Sequence, residues 1–420
     1  LPISAWPAPS PRPPSDEGRD RMRILLATGA MHPEPGGVPL VDPATGLGAG
    51  TVAQALATGW AAARPGDLVT ALPVPEGGPG AAQAVPADAV DARSALHARG
   101  PLGDVREVDL LRLAAPGVPR PGAAPEGARS WFLDAARLLA LPADHAQAAR
   151  EAAEGTSTGL GEVIAEALGV IDTGDTLVVG LSRSAVHDGG AGALEGLGGA
   201  VRARELLDGR DLLLALADDA PLGGMSGAGQ ALPALTGIAP ETAQELDREA
   251  CARASRALTD LAIPRAGSLP VLGGQPSLAE RLSVSSWGTG AAGGSALILR
   301  ALGAGAFPGA RVMAHLLGLD AAVAEADLVV TSSGEVYDVL ADCVPAVVGS
   351  AASALALPTV LVAGRSVVPR GELAEAGIVS SYALEEMGAG LGSSWDDGGP
   401  DAVRQRLTEL GGRLARTWSR

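Results

Sequence analysis

Residues 176–199 read TLVVGLSRSAVHDGGAGALEGLGG, and this stretch narrows the choice of fold more than any other. Leu177, Val178 and Val179 form a short, mostly β-branched apolar run suited to a buried strand, and Gly180 ends it. Asp188-Gly189-Gly190-Ala191-Gly192 follows, then an Ala/Leu/Gly segment with helical spacing. A strand that feeds a glycine-rich turn into a helix N-terminus leaves backbone N–H groups pointing outward, which suits phosphate or carboxylate. Asp188 stands in that turn, placed to hold a metal or take a proton. The same Asp serves equally as a helix cap in a plain βα turn.

The pattern recurs along the chain. Residues 23–28, 68–73, 211–217, 327–331 and 359–364 are apolar runs of strand length. Helical patterns lie between or after them, at 51–63 with Thr51 as a candidate N-cap, at 241–261, at 347–355 and at 401–418. Strand–helix alternation of this kind predicts an α/β protein with parallel sheets. Residues 82–128 are rich in Ala, Pro and Gly and give little signal, and 378–382 is a short apolar run.

With 420 residues the chain has room for two domains with real cores. Aromatics are only 2%, so Ala, Val, Leu and Gly must build those cores. The sequence contains no Lys and no Asn, as the codon bias of a high-GC genome would produce, and every fixed positive charge is therefore a guanidinium. A net charge of -17 argues against nonspecific binding to nucleic acid or an anionic membrane. No window holds about 18 uninterrupted apolar residues, so no transmembrane helix is expected. Residues 1–20 are Pro-rich and polar, lack the apolar core of a signal peptide and read as a disordered arm. Cys251 and Cys343 lie far apart and read as free thiols, which fits a cytoplasmic protein.

Other loops carry chemistry of their own. The cluster Gly46-Leu47-Gly48-Ala49-Gly50 lies about 18 residues past the first strand, too far for a dinucleotide fingerprint, which follows its strand directly. Asp218 and Asp219 sit at the C-terminal end of a strand, where α/β proteins place ligands, although a solvated loop has the same look. The small residues of 288–294 allow close backbone approach, to a ligand or between domains.

Together these loops resemble those of the type I glycerate kinases. The family's phosphate-loop motif is roughly G-x-G-G-S-A-T-N-D-G-G-x-G. This chain keeps Ser184, Ala185, Asp188, Gly189, Gly190 and Gly192, and puts Ser182 and Arg183 in place of two glycines and Val186 and His187 in place of Thr-Asn. Pro75-Glu76-Gly77-Gly78-Pro79-Gly80-Ala81 resembles the family's A-D-G-G-E-G-T. Ser130–Ala136 resembles a segment near the family's substrate side, and 154–164 resembles T-T-x-G-x-G-E-L-I, with Thr156 an N-cap or a hydroxyl ligand. Asp218–Gly224 resembles C-D-V-x-N-P-L-x-G, shifted by a residue, and 288–294 is close to G-x-G-A-A-G-G. Residues 331–338 follow T-G-E-G-R-x-D, with Ser333 for the Glu, Glu335 for the Arg and Asp338 displaced by one. Both motif lysines are gone: Gly29–Pro33 stands where one loop belongs, and Asp342-Cys343-Val344-Pro345 replaces G-K-x-P.

The resemblance covers about residues 22–415 and implies a two-domain fold. One domain, flavodoxin-like and with a parallel sheet, would take 21–80 and 290–420; a second α/β domain, 81–289, would be inserted in it. It implies phosphoryl transfer from ATP, with Mg²⁺, to the hydroxyl of D-glycerate or a related small hydroxy acid. On that reading Asp188 is the catalytic group and metal ligand. Arg183, Ser184, Gly189, Gly190, Gly192, Gly77, Gly78, Gly293 and Gly294 bind the nucleotide phosphates. Glu76, Asp218, Asp219 and Asp338 are the substrate-side carboxylates, with the choice between Asp218 and Asp219 open. Arg183 is the cation nearest to replacing a lost Lys, though its planar fork differs from an ammonium in reach. A homodimer is an open assembly state, and nucleic acid and membrane are not expected partners. The alternative is a catalytically inactive descendant that keeps the fold and binds a small anion or a partner protein. Convergence of Glu76, Arg183, Asp188, Asp218 or Asp219, and Asp338 in one cleft would favour the kinase; an Arg183–Glu335 pair would close the site. His187 reads as a surface loop histidine.

Overall fold

The computed structural model describes residues 21–34, 46–116, 128–262, 281–339, 343–387 and 394–419. The arm expected at 1–20 lies outside the described residues.

Strand β1 (Arg23–Thr28) is buried from Ile24 to Thr28. Both of its faces are covered, so its sequence is apolar without alternation. Helix α1 (Ala49–Ala63) follows, and strand β2 (Leu68–Ala71) pairs parallel to β1. The chain then builds a second sheet from β3 (Val90–Arg99), β4 (Val105–Pro116), β5 (Arg129–Leu133), β6 (Thr176–Leu181), β7 (Asp211–Leu216) and β8 (Gly305–Pro308). Helices α2 (Thr158–Val170), α3 (Ala191–Gly196) and α4 (Pro240–Ala262) lie within this stretch. Strands β9 (Leu328–Val336), β10 (Thr359–Ser366) and β11 (Ile378–Ala383) return to the first sheet, with helix α5 (Val344–Ser353) between β9 and β10 and helix α6 (Gly399–Trp418) at the end.

The first sheet has the order β11-β10-β9-β1-β2, with every pairing parallel. Counted along this unit alone, that is the 2-1-3-4-5 order of flavodoxin-like sheets. One face is covered by α1 and α6, whose Leu56, Trp60, Leu407, Leu410 and Leu414 are buried against Ile24, Leu26 and Val330. The opposite face packs Leu25, Ala27 and Val329 against Val344 and Val348 of α5. The second sheet has the order β3-β4-β5-β6-β7-β8. Its β3–β4 and β4–β5 pairings are antiparallel and the rest are parallel. Leu160, Val163 and Ile164 of α2 cover one face against Leu177 and Val179; Val178, Phe132 and Ala215 pack with Met313 on the other.

Three features differ from the sequence expectation. Residues 82–128 hold the long β3–β4 hairpin, whose first strand is rich in Ala and Arg and carries little β-propensity of its own. The return to the first sheet comes later than residue 290, because β8 at 305–308 still pairs with β7. Finally, β9 continues through Ser332 to Val336, paired with β10, where the resemblance implied a loop.

Candidate active site

In a parallel sheet ligands collect beyond the C-terminal strand ends. Here the ends of both sheets face one cleft of about 1060 Å³. The first sheet contributes Ala30 and His32 after β1, Pro75 to Ala81 after β2, and Ser333 of β9. The second contributes Ser182 and Arg183 after β6, and Ala217 and Asp218 after β7. The N-terminal ends of α1 and α6 also open onto it, through Gly48, Ala49 and Thr51, and through Gly398, Pro400, Asp401 and Arg404. Neither helix has a side-chain cap.

Arg183 and Asp218 meet as a fork on a fork, Nε to Oδ2 at 3.0 Å and Nη2 to Oδ1 at 2.5 Å. Asp218 Oδ1 also accepts from the Ala220 N–H. Burial works against the Arg183 charge, but the Asp218 hydrogen bonds together with the charges of Asp218 and Asp219 outweigh it and push its pKa up. Of the two adjacent carboxylates, Asp218 lines the cleft, while Asp219 is exposed and is not among the lining residues. The Arg183–Glu335 closure is not formed. Glu335 instead accepts from Trp395 Nε1 at 3.4 Å and is hydrogen-bonded to the Tyr337 hydroxyl.

Glu76 lines the cleft, and its Oε1 accepts from Val344 N–H at the start of α5, at 3.1 Å. Burial pushes its carboxyl above the usual range. Glu34, on the same cleft, is pushed up to about 8, first by burial and then by the charges of Glu76 and Glu335. Asp338 is exposed and is not among the cleft-lining residues.

Asp188 occupies a different place from the one expected. It is 6% exposed and lies outside the cleft lining. Its Oδ2 accepts from Ser157 N–H and Oγ, both at 2.8 Å, from Gly192 N–H at 3.2 Å and from Thr156 Oγ1 at 3.5 Å; Oδ1 accepts from Gly190 N–H at 2.9 Å. These donors tie the start of α3 to the loop before α2. Against the expectation of Asp188 as metal ligand or base, both of its oxygens accept from donors of the protein itself, the arrangement of a structural cap.

The glycines around it serve the same purpose. Gly189 N–H donates to Gly293 O at 2.9 Å, locking the central turn to the 290–294 turn. At Gly190 (φ +72°) a Cβ would stand 2.6 Å from Gly294 O, and at Gly293 (φ +68°) 2.5 Å from Val186 O. A Cβ on Gly192 would strike Thr156 Oγ1 and Asp188 Oδ2. The close approach is therefore loop on loop, and Gly189, Gly190, Gly192, Gly293 and Gly294 do not line the cleft. Ser184 is buried and its Oγ accepts from Val186 N–H. Of the glycines expected at the phosphates, Gly78 lines the cleft; Gly77 (φ +77°) packs on Ala215 O behind it. His187 is not a surface histidine: it is buried, with Nε2 3.0 Å from Asp247 Oδ1 of α4.

Arg137, Arg404, His32 and Glu34 were not singled out from the sequence, yet all line the cleft. Arg404 Nη2 donates to Asp401 Oδ1 at 2.7 Å. Arg137 follows Ser130–Ala136, the segment that resembles the family's substrate side, and this adjacency was the available signal. Among the described residues no three His, Cys, Asp or Glu side chains gather into a metal cage. Magnesium brought on nucleotide phosphates needs only one or two carboxylates. Glu76 fits that need, as a cleft carboxylate without an Arg partner among the described residues.

Residues 44–213 and 201–419 match the model of the glycerate kinase family. The chain belongs to the glycerate kinase family. It is 30% identical over 342 residues to uncharacterized proteins of Mycobacterium bovis and Mycobacterium tuberculosis, covering 81% of this chain and 81% of each relative. The crystal structure of a candidate glycerate kinase 2 from Salmonella typhimurium LT2 superposes with a TM-score of 0.63 at 22% identity, over 94% of this chain and 98% of that one. That likeness establishes the shared two-domain α/β fold. No helix among the described residues of this glycerate kinase family member is long and apolar enough to cross a membrane.

Proposed function

We propose that this member of the glycerate kinase family transfers the γ-phosphoryl group of ATP, carried as its magnesium complex, to a hydroxyl of D-glycerate or a related small hydroxy acid. One observation carries the reading: Arg137, Arg183 and Arg404 line a single cleft of about 1060 Å³ at the strand ends of both sheets. That space is at the upper end of ordinary ligand pockets and has room for a nucleotide and a small acid together. Phosphoryl transfer rests on positioning and on neutralising phosphate charge. In a chain without Lys, guanidiniums must supply that charge. The magnesium would meet Glu76, and phosphate oxygens would meet the α1 N-terminus and the Gly78–Gly80 backbone.

A second reading has an observation of its own. The motif lysines are absent and the Asp188 carboxylate is fully engaged within the protein, as in a descendant that has lost catalysis and binds a small anion. Calorimetric titration of Mg·ATP with and without D-glycerate, followed by ADP release, separates the two. Saturable nucleotide binding and glycerate-dependent ADP release that is lost in Glu76→Ala support the kinase. Absence of nucleotide binding at near-millimolar concentration by folded protein overturns it in favour of the second reading.

A further inference from the structure

We propose that Arg137 is the residue that receives the anionic group of the small ligand in this cleft, laying two parallel N–H groups on a carboxylate or a phosphate. The inference rests on the cleft being the ligand site of the reading above, and it assigns the anion contact within it. Three guanidiniums line the cleft, but they differ in what already holds them. Arg183 is clamped by both oxygens of Asp218. Arg404 donates to Asp401. Arg137 is exposed on the cleft wall, and its guanidinium makes no hydrogen bond or ion pair to the described residues.

Asp134, three residues earlier, is buried and accepts from Ala82 N–H at 3.2 Å. Burial pushes its carboxyl up to about 7, against the pull of Ala82 and the Arg137 charge, so it cancels only part of that charge near neutral pH. The wall beside Arg137 is Ala140, Leu141 and Ala143, which offers a ligand anion no competing carboxylate. Charge-assisted fork contacts are the strong class of hydrogen bond, and low polarity around them strengthens them further. An incoming anion therefore gains most at Arg137, where no existing pair has to be broken.

The test uses the full chain, with Arg137→Ala, Arg137→Lys and Arg137→Gln, each checked for an unchanged melting profile. D-glycerate, Mg·ATP and inorganic phosphate are titrated separately. Arg137→Ala is expected to weaken at least one of them tenfold or more, with partial recovery in Arg137→Lys and none in Arg137→Gln. Loss confined to D-glycerate identifies a carboxylate, with KM for the acid raised and kcat changed less than about threefold. Loss on phosphate and Mg·ATP identifies a phosphoryl group. If all three ligands bind Arg137→Ala within twofold of the parent, the assignment is overturned. Turnover with kcat/KM for both D-glycerate and Mg·ATP within twofold of the parent in Arg137→Ala overturns it while leaving the kinase standing. Arg137-dependent binding of D-glycerate or phosphate in a protein that shows no turnover does the reverse.

Discussion

Replacing Asp188 by Ala tests whether this carboxylate is a cap or a catalytic group. The substitution removes an acceptor from four donors within 3.2 Å: Ser157 N–H, Ser157 Oγ, Gly190 N–H and Gly192 N–H. The Ser157 hydroxyl can rotate toward another partner, but the three backbone donors stay in place at a site where Asp188 is only 6% exposed. Each buried donor left unpaired costs about 1–3 kcal/mol. Partial relaxation brings the total to about 3–5 kcal/mol, the range of the largest single-site losses. Asp188→Asn keeps one acceptor oxygen and should lose about half as much. Equilibrium urea unfolding followed by far-UV circular dichroism reads this directly. With a slope of about 3 kcal/mol/M, a loss of about 4 kcal/mol lowers the midpoint by roughly 1.3 M. An Asp188→Ala protein with its midpoint unmoved and its ligand binding abolished would refute the cap, and would place the carboxylate on the ligand instead.

Further outcomes follow from the cleft's charges. Asp218→Ala leaves the half-buried Arg183 guanidinium without its partner and should destabilise the protein by about 1–3 kcal/mol, whereas removing both partners together should cost less than the sum; strict additivity in the double-mutant cycle would show that the fork is not a coupled pair. Burial raises the Asp134 carboxyl from 3.8 to about 7 and, with neighbouring charges, that of Glu34 from 4.5 to about 8. Between those values the folded state binds more protons than the unfolded one, so these groups lose stabilisation as pH rises from about 4 toward 8. Asp134→Asn should therefore gain in urea midpoint relative to the parent between pH 5 and 8, and a pH-independent difference would contradict the raised carboxyl.

Much of the fold was legible because local physics wrote it. The apolar runs of β1, β6, β7, β9 and β10 stand out as buried parallel strands, covered on both faces and so free of polar alternation. The helices at 240–262 and 399–418 show amphipathic spacing. The β3–β4 hairpin was not legible, because its pairing and not its residue preference makes it sheet. Nor did local pattern set the return point between the two sheets, since β8 belongs to the second only through its pairing with β7.

The candidate site divides in the same way. Glu76, Gly78, Arg183 and Asp218 were found from motif spacing and do line one cleft. Asp188 and its glycines were found by the same means and lie elsewhere. An Asp-Gly-Gly turn before a helix looks alike whether its donors wait for a phosphate or already hold a carboxylate. What distinguishes the two is a segment 31 residues earlier in the chain, where Ser157 docks on Asp188. Arg137 and Arg404 were hidden among 31 basic residues of one kind, since no sequence window contains positions 137, 183 and 404 together. Sequence by itself determined most of the strands and helices, the glycine turns and the family, because those depend on neighbours within a few residues. Only the tertiary structure decided which donors are already satisfied and which charge still faces the cleft unpaired, because hydrogen bonds and ion pairs are completed by whichever distant segment the fold brings near.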